Sequence, residues 1–299
     1  MREAVLIVSG IHIQNANALS STFTIGFPAM TAWLGAVHAL QRRLNRQSEF
    51  SELRFTKTGV ICHGYQLQTY KGTGDWISSI IGTTNPLRKK GNAFVRPPFI
   101  EEARIHLLVD LVIEVQKLGP EMGDLLEPMV RENMLTMKIA GGDVLSVDKI
   151  EVQRIDRDNE SAVVRKLILP LMSGYAVIER RDLMNEDTGE DTGEDTLGVL
   201  LHYLAVYSTP LVDKEGRVIS WQQQRATPGW LVPLAVGFRA LSPLQKVKRQ
   251  RDAEKPHCFV EPLVTLGEFK MLHRLRSLDD LFWHYEYDET QETYLCKNE

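Results

Sequence analysis

Cysteine is scarce: Cys62, Cys258 and Cys296 are the only three in 299 residues, an odd count without a CxxC pair. That excludes a disulfide framework and a cysteine zinc site. No apolar run approaches the roughly 18 residues of a membrane span, and the stretch Ala4–Val8 is too short for the core of a secretory signal. A soluble cytoplasmic protein without a membrane partner is expected. No HxxxH pair or carboxylate cluster has metal-ligand spacing, so neither a metal nor another cofactor is called for. No catalytic residue stands out either.

A strong excess of one charge is also missing, since 35 Lys and Arg stand against 39 Asp and Glu, a net of -4. The average hides a segregation. The low-complexity stretch "EDTGEDTGED", 186–195, holds six acids and no base, and without it 35 basic residues face 33 acidic ones. This segment reads as a disordered linker. The run "RALSPLQKVKRQR", 239–251, holds five bases and no acid. Phosphate attraction is set within a Debye length of about 10 Å, so the total charge leaves room for a positive groove.

The 43% hydrophobic content is enough to bury a core. "EAVLIVSGI" is β-branched and reads as a buried strand, followed by the polar loop "IQNANALSSTFTIGFP", 13–28. Residues 29–44 carry Met30, Trp33, Leu34, Val37, Leu40 and Leu44 at helical spacing after Pro28. Residues 54–70 read as a second strand, and 72–98, without a clear period, as a projecting thumb within about 68–100. A strand over 102–115, a helix from Pro120 to about Met137 and a strand over 138–152 follow. The order β, α, β, arm, β, α, β predicts an α+β fold of the ferredoxin-like, RNA-recognition type. Domain 1–155 would carry the thumb, and 156–299 would be a β-rich, irregular extension packed on it. Within that extension, 227–244 reads as a structured loop and 278–287 as a short helix.

Several separated stretches, "IQNANALSS" with "GFP", "VHALQRR", "GVICH", "NPL", "EEARIHL", "IAGGDVL", "PGWLVP", "GFRALSPL", "FVEPLVTLGE" and "LDDLFW", run in order from residue 13 to residue 283. Together they resemble the second Csy subunit of type I-F CRISPR surveillance (Cascade) complexes, a family of the RAMP superfamily. The resemblance implies a modified RNA-recognition fold with a thumb, and a non-catalytic scaffold that grips the 5′ handle of the CRISPR RNA together with the large Csy subunit. It further implies contact with the terminal backbone Csy subunit and places the chain near target DNA at the end of the complex. The acidic repeat is not part of the family's pattern.

On that reading, Gln14, Asn15 and Asn17 offer neutral donors and acceptors for base edges and 2′-hydroxyls, and Ser20 and Ser21 can donate to phosphates. Capping of the turn and the next helix explains the same residues structurally. Arg42 and Arg43 suit phosphate contact or the negative end of a helix dipole. Arg88, Lys89 and Lys90 would form a basic thumb tip, and Trp230, Phe238 and Arg239 a base-stacking wall or, for the tryptophan, core. The competing reading is a RAMP-type endoribonuclease that processes precursor CRISPR RNA with a histidine base. His12, His38, His63 and His106 fall in the first half of the chain, nothing in the sequence pairs any two of them, and only His12 adjoins the polar loop.

Overall fold

The computed structural model describes residues 4–80, 88–95, 102–119, 122–155, 169–187, 195–250 and 252–298. Strand β1 (Ala4–Asn17) leads through a loop to helix α1 (Met30–Leu44) and strand β2 (Arg54–Leu67). Four short strands in two antiparallel pairs follow: β3 (Thr69–Tyr70) with β4 (Ser79–Ile80), and β5 (Arg88–Lys90) with β6 (Ala93–Val95). Then come β7 (Arg104–Gln116), helix α2 (Gly123–Leu135), β8 (Lys138–Ile139), β9 (Gly142–Ser146) and β10 (Lys149–Arg154). The remainder is β11 (Tyr175–Glu179), α3 (Arg181–Asp187), α4 (Thr196–Leu204), β12 (Tyr207–Val212), β13 (Val218–Gln224), β14 (Leu231–Ala240), β15 (Val260–Met271), β16 (Trp283–Asp288) and β17 (Thr293–Asn298). The fold is mixed α+β, dominated by one large antiparallel sheet.

In the N-terminal half the strands lie side by side as β2, β7, β1 and then β9 with β8, while β10 also pairs with β1; every pairing is antiparallel. Alternation along the strands decides what each face meets. Leu6, Val8, Ile11 and Ile13 of β1 and Leu107, Val109, Leu111 and Ile113 of β7 share one core with Trp33, Leu34, Val37 and Leu40 of α1 and Leu126, Val130 and Met134 of α2. Both helices therefore cover one face. On the other face Val5, Ile7, Ile61 and Val112 are covered by Leu171, Leu272, Leu278, Leu281 and Phe282 of the C-terminal half. That cover extends over only part of the sheet.

The C-terminal strands join the same sheet. The free edge of β2 is divided between two of them, with Thr58 opposite Trp283 of β16, and Ile61 and Cys62 opposite Ala176 and Tyr175 of β11. Since β11, β15, β14, β17 and β16 pair in that order, the pairing path closes into a ring through β2. Trp283 is fully buried there and its Nε1 donates to Val177 O at 2.8 Å.

Four expectations are corrected. The first strand runs on through Gln14 to Asn17 instead of ending before the polar residues, because bulges at Gly10 and Asn15 keep it paired with β7. Residues 231–240, read as loop, are strand β14, with Leu231, Leu234, Ala235 and Val236 buried. The helix expected over 278–287 is one short 3-10 turn, Asp279–Leu281, followed by β16; the burial of Phe282 and Trp283 in the sheet outweighs helix formation. The acidic stretch is ordered at both ends, Glu186 and Asp187 closing α3 and Asp195 capping α4 by accepting from Gly198 N at 2.7 Å. Its middle, 188–194, lies outside the described residues. The Gly141-Gly142 pair stands where β8 turns back into β9. Ala140 and Gly141 both have positive φ, 49° and 77°, forming the two-residue turn between β8 and β9. A Cβ on Gly142 would stand 2.7 Å from both Gln14 O and Ala16 N, so only glycine lets β9 approach β1.

Candidate nucleic-acid interface

Two bulges in β1 set up an open groove. The first, at Gly10 (φ 65°), is held by Asp110, whose Oδ1 accepts from Gly10 N at 2.7 Å. The other oxygen of Asp110 lies 2.6 Å from His63 Nε2, and His63 Nδ1 lies 3.1 Å from Ser173 Oγ. Asp110 is only 3% exposed, so these partners meet a carboxylate that burial would otherwise penalise heavily. On β7 it stands between Val112, under the C-terminal cover, and Leu108, which lines the groove. This polar lock marks the boundary between the covered and open parts of the face.

Beyond it lies a groove of about 290 Å³ lined by His12 and Gln14 of β1, Gly64, Tyr65 and Gln66 of β2, His106 and Leu108 of β7, and Leu145 of β9. His12 alternates with buried Ile11 and Ile13, and His106 and Leu108 with Ile105, Leu107 and Val109. The strands that bury the helices thus turn these side chains outward. Apolar Leu108 and Leu145 give surfaces for a ring to lie on. Gln14, Gln66 and His12 have side chains with no hydrogen bond to any described residue, leaving donors and acceptors for a planar polar ligand.

The second bulge fixes the rim. Asn15 has φ 57°, its N–H donates to His106 Nδ1 at 3.2 Å, and its Oδ1 accepts from Gln68 Nε2 at 2.6 Å. Gln68 Nε2 also lies 3.0 Å from His106 Nε2. Nothing in the sequence pairs two histidines, but in the fold His12 and His106 line the same groove, because His12 lies opposite Leu108, two residues along from His106. His106 thus brackets the backbone of Asn15. Among the described residues no group of three or more potential metal ligands occurs.

The predicted site residues separate. Asn17 closes the following loop on itself, Nδ2 donating to Leu19 O at 3.0 Å and Oδ1 accepting from Leu19 N at 3.1 Å. Ser20 and Ser21 bond Thr24 Oγ1 at 2.9 and 2.7 Å. The loop hydroxyls are thus committed internally, and of the opening amides Gln14 alone faces the groove uncommitted. Arg43 caps the end of α2, donating to Asn133 O at 3.3 Å and Thr136 Oγ1 at 2.9 Å, while Arg42 is exposed on the same helix. That helix covers the face opposite the groove.

Arg88, Lys89 and Lys90 form β5, which turns at Gly91 (φ 64°) into β6, with Lys89 opposite Phe94. Lys89 and Lys90 are exposed there. Trp230 is 38% exposed and belongs to an aromatic cluster, with ring centroids 4.8 Å from Phe269, 5.5 Å from Tyr175 and 5.9 Å from Tyr65, the last of which lines the groove. Arg239 lies at the far end of β14, about 30 Å of extended chain from Trp230 at about 3.3 Å per residue. The single wall expected of Trp230, Phe238 and Arg239 is corrected accordingly. Sequence reasoning missed Tyr65, Gln66, Leu108 and Leu145, whose shared face depends on the β1, β2, β7 and β9 register; no local motif reports it.

The family model described as "CRISPR-associated protein (Cas_Csy2)" matches residues 6–296. "CRISPR-associated protein Csy2" of Pseudomonas aeruginosa (strain UCBPP-PA14) is 32% identical over 306 residues, covering 95% of this chain and 91% of that protein.

Proposed function

Because the chain belongs to the Csy2 family of CRISPR-associated proteins, subunits of type I-F Csy complexes, we propose that it binds and caps the 5′ handle of the CRISPR RNA together with the large Csy subunit, without catalysis, in complexes that target foreign DNA. Residues 1–155 form the RAMP-type, ferredoxin-like unit with its thumb, and 156–299 its extension; the sheet order β2, β7, β1, β9 with both helices on one face supports this. The terminal backbone subunit and target DNA adjoin it in the cytoplasmic complex.

The observation that carries the reading is the uncovered sheet face, where Leu108 and Leu145 offer stacking surface and Gln14, Gln66 and His12 offer unengaged polar edges. Single-stranded RNA is held in this way, by splayed bases on apolar or aromatic platforms with hydrogen bonds to their edges. Tyr65 and Trp230 extend the platform, and Lys89 and Lys90 meet phosphates. Amides read base edges without supplying a nucleophile or a proton.

The test is binding of the purified pair, this chain with the large subunit, to RNAs carrying the native or a scrambled handle, followed by gel analysis of the same RNAs. Preference for the native handle with intact RNA is expected. Equal affinity for both RNAs refutes handle recognition, and metal-independent cleavage abolished by His12→Ala refutes the non-catalytic reading.

A further inference from the structure

We infer that the outer edge of β13 is a docking edge, which pairs with an extended, weakly charged segment of another protein subunit of the Csy complex. The inference rests on family membership and is independent of the handle-binding role. Among the described residues, strands β12 and β13 pair only with each other, and every residue of both is exposed. Ile219 and Trp221 are 69% and 61% exposed, and Tyr207, Leu211, Val212 and Val218 are also open. A two-stranded ribbon with neither face covered is marginal in water. Yet this one is built: Asp213 Oδ1 accepts from Glu215 N at 2.8 Å and from Arg217 N at 2.9 Å, and Gly216 takes φ 80° to complete the turn.

Charge selects the class of occupant. Neither strand contains Lys, Arg, Asp or Glu. Of the flanking cations, Lys214 and Arg217 sit in the turn, Arg217 paired with Glu215 at 3.2 Å, and Arg225 lies beyond the end of β13. A phosphate backbone finds no row of counter-charges along the ribbon, whereas apolar side chains of a protein find Trp221 and its neighbours.

The edges differ as well. Pro210 stands opposite Trp221 in the middle of β12. Proline is tolerated where the missing N–H faces away from the ladder, so the outer edge of β12 lacks a central donor and is protected. The seven residues of β13 contain no proline, glycine or charge, the three usual guards of an exposed edge. If Pro210 and Trp221 form an outward-facing pair, so do Ser208 and Gln223, two positions along. Gln223 N–H then points to the incoming strand. This is strand addition to an open sheet edge, with Trp221 as the apolar anchor.

Hydrogen exchange of the wild-type chain tests the assignment in four states: alone at low and high concentration, with guide RNA, and in the complex reconstituted with the other Csy subunits and guide RNA. Amides of 218–224 are expected to slow at least tenfold in the complex alone. Unchanged exchange there overturns the proposal; protection by RNA alone assigns the ribbon to nucleic acid, and protection growing with chain concentration assigns it to a second copy, each equally fatal to it. As a second arm, Gln223→Pro should reduce assembly at least tenfold while Gln223→Ala does not, with thermal unfolding of the isolated chain reporting that both are folded. Wild-type assembly by a folded Gln223→Pro chain also overturns it, and handle preference in the RNA-binding assay is scored separately.

Discussion

Gln14→Ala and Asn17→Ala remove similar amides three residues apart, yet the structure gives them opposite consequences. Asn17 makes two partly exposed hydrogen bonds to the backbone of Leu19. At a net of about 0.5–1.5 kcal/mol each, discounted for exposure, their loss should cost about 1 kcal/mol of stability. With an unfolding entropy of about 2.1 cal/mol/K per residue, that lowers Tm by about 2 °C. Gln14 makes no side-chain hydrogen bond to a described residue and faces the groove, so Gln14→Ala should leave Tm unchanged. If its amide makes two bonds to a base edge, affinity for the native handle should fall by about 1–3 kcal/mol, roughly 5- to 150-fold. A neutral side chain releases no counterions, so the slope of log K against log salt should not move. Thermal unfolding and RNA binding at several salt concentrations, with native and scrambled handles, provide both readouts. A Gln14→Ala chain that binds the native handle as the wild type does refutes the assignment of the groove as the reading surface. An Asn17→Ala chain that is fully stable yet blind to handle sequence refutes the division of roles.

Other consequences can be checked alongside. Lys89→Ala with Lys90→Ala should lower the single-strand salt slope by about 1.4, about 0.7 per phosphate contact, whereas Arg43→Ala should leave the slope alone and cost stability through the end of α2. Burial pushes the Cys62 thiol up to about 11 and that of Cys296 up to about 12, so alkylation of the native chain at pH 8 should reach Cys258 and spare both; adducts on either buried thiol contradict the packing. Hydrogen bonds from Arg180 hold the carboxyl of Asp182 below its usual range. Its contribution is therefore present above the unfolded pKa of about 3.9 and is lost as pH falls through the lower folded value, so the stability gap between wild type and Asp182→Asn should close in acid urea titrations.

Legibility followed locality. Helix α1 was readable because Met30, Trp33, Val37 and Leu40 declare their period within a few turns, and β1, β2 and β7 were readable as strands from their apolar, β-branched runs. Gln14 was readable as exposed and polar. That Gln14, Asn15 and Asn17 divide into an open groove side chain, a bracketed rim and a loop closure was not, because this depends on His106 and Gln68, 91 and 53 residues from Asn15. The strands β14 and β16 were misread for a related reason. Pro233 and Gly237 imitate a loop, and the apolar run 281–283 has no period of its own; the ring of strands closing on β2 decides both. The ribbon β12–β13 was not read from the sequence, and its isolation from the main sheet among the described residues is a property of the fold, not of its own residues.

Photocrosslinking addresses the central claim most directly. Handle RNA bearing 4-thiouridine at successive positions, bound to the complex and irradiated, yields adducts that peptide mass spectrometry can place on single residues. The account predicts adducts on the groove residues of β1, β2, β7 and β9, foremost His12, Tyr65 and Leu145. Adducts confined to the α1–α2 face around Arg42, or to β14–β17, with none in the groove, would contradict it.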